Sequence, residues 1–112
     1  MPKPSEVLQH ALHLVTRGHV KGVFAADKTG KAVKFVSSAA TCFCAAGALH
    51  RSLSELNAAE LNTEVFHILR TQIPVSSGEV SISSYNDLDS TTQSDVIDWF
   101  KRAIEDALSK GN

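Results

Sequence analysis

Ser37-Ser38-Ala39-Ala40-Thr41-Cys42-Phe43-Cys44-Ala45-Ala46-Gly47-Ala48-Leu49-His50-Arg51-Ser52-Leu53-Ser54-Glu55-Leu56 is the least polar run of the chain, and its reading decides the fold. On a helical period Cys42, Ala45, Ala46, Leu49, Leu53 and Leu56 share one face, while Phe43, Gly47 and His50 lie on a neighbouring strip. The spacing predicts a central helix of about five turns starting near residue 38, with Ser37 or Ser38 as N-cap. A glycine in a helix interior costs about 1 kcal/mol relative to alanine, so Gly47 needs compensation. Close approach of another element would supply it, and an open notch for a ligand is the alternative.

Outward from that helix, Pro4 suits a first helical turn, and Val7, Leu8, Ala11, Leu12 and Val15 repeat as a buried face up to a stop at Gly18. His10 and His13 fall on the opposite side of this helix and read as solvated; with no third ligand nearby, a metal site is not expected. Val20 to Ala25 and Ala32 to Val36 are β-prone runs on either side of Asp27-Lys28-Thr29-Gly30, which suggests a small hairpin.

Asn57-Ala58-Ala59-Glu60 has the form of a capping box for a third helix reaching about Gln72, with Asn62 as a competing start. Val80 and Ile82 alternate with serines and read as a short half-exposed strand, and Tyr85 to Thr92 as a polar connection. Thr91 or Thr92 then caps a last helix carrying Val96, Phe100, Ala103 and Ala107 on one stripe. The expectation is an α-rich α+β fold: about four helices with a small β-hairpin or short strands, in one globular domain spanning residues 1–112.

A chain of 112 residues with 43% hydrophobic and 21% charged residues can build a core without staples, and its net charge of −1 gives no general attraction for polyanions. Cys42 and Cys44 point in opposing directions if helical, so no disulfide is expected between them. Reduced thiols, no secretory leader and no long apolar run together suggest a cytoplasmic protein with no membrane association. Charge is nonetheless uneven. Between Arg17 and Lys34 there are five Lys or Arg and one acid, whereas Glu79 to Asp98 carries five acids and no Lys or Arg.

Three stretches carry a family likeness: Gly22-Val23-Phe24-Ala25-Ala26-Asp27 with Gly30 and Val33; Phe43-Cys44-Ala45-Ala46-Gly47-Ala48-Leu49; and Ile82-Ser83-Ser84-Tyr85-Asn86-Asp87 followed by Asp95-Val96-Ile97 and Arg102-Ala103-Ile104. In these the chain resembles a family of small uncharacterised bacterial and phage proteins that share a domain of unknown function. The family's pattern joins an aromatic-Cys-x-x-Gly-Ala-Leu block to a later aromatic-Asn-Asp block. This sequence departs from it in having Phe43 and Tyr85 where tryptophan is usual, and in the added Cys42. The resemblance implies that Cys44, Gly47, Asn86 and Asp87 belong to one structural unit, and it implies no activity, cofactor or partner.

Several chemistries can be set against these residues. Cys42 or Cys44 with His50 or His67 and Asn86 supplies the residue types of a thiol-dependent enzyme, although Cys is also among the most commonly buried residues. Asp87-Leu88-Asp89-Ser90-Thr91 has the spacing of a haloacid-dehalogenase-like phosphotransferase motif without the parallel sheet such chemistry needs. As a calcium loop it lacks the required glycine and terminal glutamate. Arg17, Lys21, Lys28, Lys31 and Lys34, with Phe24 and Phe35 interleaved, offer a nucleic-acid-binding alternative.

No catalytic set is complete and no cofactor is implied, so the sequence reads best as a non-catalytic accessory protein that binds another protein. Gly47, His50, Tyr85, Asn86 and Asp87 are its candidate contact residues.

Overall fold

The computed structural model describes residues 1–112. It contains five helices: α1 (Pro4–Arg17), α2 (Ala45–Glu55), α3 (Asn62–Thr71), α4 (Ile82–Asp87) and α5 (Gln93–Ser109). β1 (Ala25–Ala26) pairs antiparallel with β2 (Cys42–Phe43), and Ala32 joins as a third short piece through an antiparallel bridge to Ala26. The fold is thus the α-rich α+β arrangement expected, with four of its helices longer than six residues.

α1 and α5 form the frame because both are amphipathic with regular stripes. Val7, Leu8, Ala11 and Val15 from α1 meet Val96, Trp99, Phe100, Ala103 and Ala107 from α5, all fully buried. The two run antiparallel: Gln93 Nε2 at the start of α5 donates to the Val15 carbonyl at 2.8 Å, and Ser5 at the start of α1 donates to the Asn112 carbonyl. Trp99 Nε1 donates to the Leu69 carbonyl at 2.8 Å, tying α3 to this frame, and the Tyr85 ring meets Trp99 edge-on. The last helix starts as expected, with Thr92 and Asp95 exchanging a reciprocal capping box.

The central helix is shorter than its apolar pattern predicts. Residues 41–43 are drawn into the sheet: Thr41 N donates to the Ala26 carbonyl, Phe43 N to the Gly18 carbonyl, and the Phe43 carbonyl accepts from Val20 N. The backbone donors of Thr41 and Phe43 are therefore spent, and α2 begins only after Cys44, which replaces Ser37 or Ser38 as N-cap. Gly18 does end α1, but with extended backbone; it is small because a Cβ there would lie 2.5 Å from the Thr41 carbonyl oxygen.

Asn57 is not an N-cap. Asn57 N donates to the Ser54 carbonyl and Ala58 N to the Leu53 carbonyl, while Asn57 takes φ 51°. This is a Schellman stop for α2 in which asparagine occupies the left-handed place usually given to glycine. A 3-10 turn (Ala59–Leu61) leads into α3.

The predicted strand around Val80 and Ile82 is also absent. Val80 is exposed, whereas Ile82, Tyr85 and Asn86 are buried at helical spacing, and the Ser81 hydroxyl caps α4 by accepting from Ser84 N. The polar connection consequently starts at Leu88, not Tyr85. No helix is long and apolar enough to cross a membrane.

Candidate functional site

The two sequence blocks meet at the start of α2, where Asn86 is the hub. Its side chain is fully buried and every polar atom on it is used. Oδ1 accepts from Ala45 N at 3.0 Å, which satisfies a free donor of the first helical turn, and shares a 2.8 Å bond with His19 Nε2. Nδ2 donates to the Val20 carbonyl at 3.2 Å and to Asp87 Oδ1 at 2.8 Å. Asp87 Oδ1 also accepts from Gly22 N at 3.1 Å, and the Lys21 ammonium donates to the Leu88 carbonyl. α4 thereby pins the irregular segment 19–22 against α2.

Gly47 completes the junction. The Phe24 carbonyl accepts from Cys44 N at 3.1 Å, and a Cβ on Gly47 would sit 1.9 Å from that same carbonyl oxygen. The notch is therefore filled by the backbone of Phe24 and is a packed contact, not an open ligand notch. Cys44 caps the helix by accepting from Gly47 N on Sγ at 3.2 Å. Burial pushes its thiol above the ordinary cysteine value, with smaller opposing effects from the backbone donors at Gly47 and Ala46.

The thiol-enzyme set is not assembled. Cys44 is buried and Cys42 half-buried, and neither is hydrogen-bonded to a histidine. His50 instead lies among Phe35, Phe24 and Phe66, with ring centroids 5.2, 5.5 and 4.9 Å away, and burial holds its imidazole below the ordinary histidine value. His67 is exposed on α3. Asn86 faces His19, which lies 67 positions away in sequence, and no local pattern announces that pairing.

Beside the junction, the irregular segments 22–24 and 33–36 and the start of α4 enclose a groove of about 630 Å3. Its walls are Val23, Phe24, Val33, Phe35 and Val36, with the Cys44 edge in the lining. Val23, Phe24 and Val36 are 37%, 48% and 52% exposed, although each is a large apolar side chain. Polar groups in the lining are Lys34, Ser83 and Asp87, whose Oδ2 has no protein partner. Of the expected contact residues, Asp87 lines this groove and His50 lies behind its Phe24 and Phe35 wall. Gly47 and Asn86 are buried at the junction beside it, and Tyr85 is turned away from it, its ring against Trp99 of α5.

The five cations of the basic segment do not converge. Lys34 lines the groove, and Lys28 and Lys31 lie on the turn ordered by Asp27, whose Oδ1 accepts from Thr29 N, Thr29 Oγ1 and Lys31 N. The Thr29 hydroxyl holds the Asp27 carboxyl below its ordinary value. Arg17 lies elsewhere, in a smaller pocket with His10, His13 and Arg51. His10 is also not simply solvated: its Nδ1 shares a 2.8 Å hydrogen bond with the buried Ser52 Oγ of α2.

A buried asparagine hub, a glycine seated on a carbonyl and an apolar groove define a small α-rich α+β domain with an open apolar cleft. The chain belongs to the family of unknown function DUF6197, which it matches over residues 1–106. No curated protein and no solved structure matches it.

Proposed function

We propose that this is a non-catalytic binding protein whose groove takes an apolar side chain presented by a protein partner. The observation that carries the reading is the exposure of Val23, Phe24 and Val36 around one concave surface. Leaving such side chains in water forgoes about 25 cal/mol per Å2 of apolar area, so an exposed apolar cluster in a cleft marks a contact surface. A volume of about 630 Å3 is within the range that encloses a compact ligand or an anchoring side chain. The free Asp87 Oδ2 favours a hydrogen-bond donor or cation beside the apolar anchor.

The thiol is no competitor for this role, because Cys44 already serves as the α2 cap. We further infer a cytoplasmic accessory protein of bacterial or phage origin. That inference rests on the resemblance in the Phe43–Leu49 and Tyr85–Asp87 blocks.

The test compares the natural chain with Val36→Asp as bait in a lysate of the source cells at mild salt. Val36 is more than half exposed, so the substitution should leave the fold intact. Proteins held by the natural chain and released by Val36→Asp are the expected result. Equal retention by both baits, or recovery of the bait alone, overturns the proposal.

A further inference from the structure

A second, chemically different pocket lies between α1 and α2, with a volume of about 200 Å3. His10, His13 and Arg17 reach it from successive turns of α1, Arg51 and Glu55 come from α2, and Thr41 closes one side. Two guanidinium groups face a single carboxylate, which leaves an excess positive charge although the chain as a whole carries −1.

Arg51 is held in place before any ligand arrives. Its Nε donates to Glu55 Oε1 at 2.7 Å, and its Nη1 donates to the Phe35 and Ser37 carbonyls at 2.9 Å each. The guanidinium carbon also lies 5.8 Å from the Phe43 ring centroid. Nη2 is left without a protein acceptor, and the contact with Glu55 offsets the one negative charge in the lining. His10 is likewise fixed, because its Nδ1 bond to Ser52 Oγ leaves Nε2 as the ring nitrogen without a partner. Arg17 makes no ion pair within the chain.

We propose that this pocket binds a small tetrahedral oxyanion, sulfate or phosphate, either free or as the phosphoryl group of a small monoester. Arg51 supplies a prepositioned donor through Nη2, and His10 supplies another through Nε2–H in the tautomer whose Nδ1 accepts from the Ser52 hydroxyl. Arg17 and His13 add donors from α1, and Thr41 adds a hydroxyl. Paired guanidinium donors on an oxyanion make short, charge-assisted bonds, and two arginines on different elements can clamp one ion. A metal cation is disfavoured here by the same two arginines, and no group of three metal-ligating side chains exists in the chain.

The site shares no lining residue with the apolar groove, and the two proposals are tested by different variants. The test follows backbone amide and imidazole NMR signals of the full chain during titration with sodium sulfate and orthophosphate, at ionic strength matched with chloride. Saturable shifts centred on His10, His13, Arg17 and Thr41, absent with chloride, are expected.

Glycerol phosphate titrated in the same way separates the two sources. Equal shifts assign the monoester to the site, and their absence assigns the free ion. Arg17→Ala, at an exposed position without a partner, should keep the folded spectrum and weaken sulfate binding about tenfold, the loss expected for one charge-assisted contact. Unchanged affinity in Arg17→Ala overturns the proposal, as do shifts no larger than those with chloride or shifts centred on Lys28 and Lys31.

Discussion

The helical frame and the segment from His19 to Cys44 are held together by different means. In the frame, α1, α3 and α5 bury continuous apolar stripes, so stability is spread over many side chains such as Val7, Leu8, Val65, Leu69, Trp99 and Phe100. The segment 19–44 has two strands of two residues each and is fastened at points: Asn86 on His19 and Val20, Asp87 on Gly22, Arg51 on Phe35 and Ser37, and Gly47 beneath Phe24. Distributed contacts tolerate the loss of one member, whereas a fastened loop loses its shape when one pin is removed. The groove is built largely from the fastened segment. Its form therefore depends on Asn86, Arg51 and Gly47, which lie outside its lining, as well as on Asp87 within it.

That contrast is open to direct attack, beginning with the frame. Trp99→Ala removes a fully buried ring and leaves the Leu69 carbonyl without its donor. A loss of about 3 to 5 kcal/mol is expected, seen as one cooperative shift of the whole denaturation curve. A variant that unfolds in two steps would show that frame and segment are not one cooperative unit.

Asn86→Ala attacks the other side. It strands Ala45 N and the Val20 carbonyl in a buried place, and about 2 to 4 kcal/mol should be lost. The discriminating measurement is amide hydrogen exchange: residues 19–26 and 41–44 should lose protection well before α1 and α5 do. Uniform acceleration along the chain would show that Asn86 is not a local pin.

Gly47→Ala sharpens the comparison at one atom. The new Cβ meets the Phe24 carbonyl oxygen at 1.9 Å, so Phe24 must move off the helix. A cost of about 1 to 3 kcal/mol is expected, with the Phe24 and Phe35 ring signals shifted in the same variant. An unchanged melting temperature would restore the open-notch reading of Gly47.

The smallest effect lies at the end of α2, away from the fastened segment. Asn57 holds φ 51°, a conformation that glycine adopts without steric cost. Asn57→Gly should raise stability by about 0.5 kcal/mol in chemical denaturation, with groove and segment untouched. A loss of stability would mean that the asparagine side chain contributes to the turn beyond tolerating its geometry.

Local regularity explains which elements were legible. α1 and α5 announce themselves through stripes that run for several turns and, for α5, through Thr91 or Thr92 as the cap before it. α4 carries a similar but shorter signal: Ser81 followed by Ser84, with Ile82, Tyr85 and Asn86 at helical spacing. Over six residues that signal competes with the alternation of Val80 and Ile82, and the alternation is misleading because Val80 packs against nothing. Asn57 misleads in another way, since asparagine suits both an N-cap and a left-handed stop. Which role it takes is decided by whether a helix lies before it or after it. The structural unit of Cys44, Gly47, Asn86 and Asp87 was legible from the family resemblance. The groove was not, because its walls come from segments with no period.

From the sequence alone follow the α-rich class, the two frame helices, the need for something to compensate Gly47 and the uneven charge. Each is a property of residues near one another in the chain. Tertiary structure decided that residues 41–43 leave the apolar run to become a strand, because Ala26 and Gly18 offer carbonyls that claim the backbone donors of Thr41 and Phe43. It also decided that Asn86 serves His19 and not a cysteine, and that Arg17 joins Arg51 and not the lysines that follow it in sequence. These are pairings between distant positions, and a backbone group or a side chain can satisfy only the partner that the packed helices bring within a few ångströms.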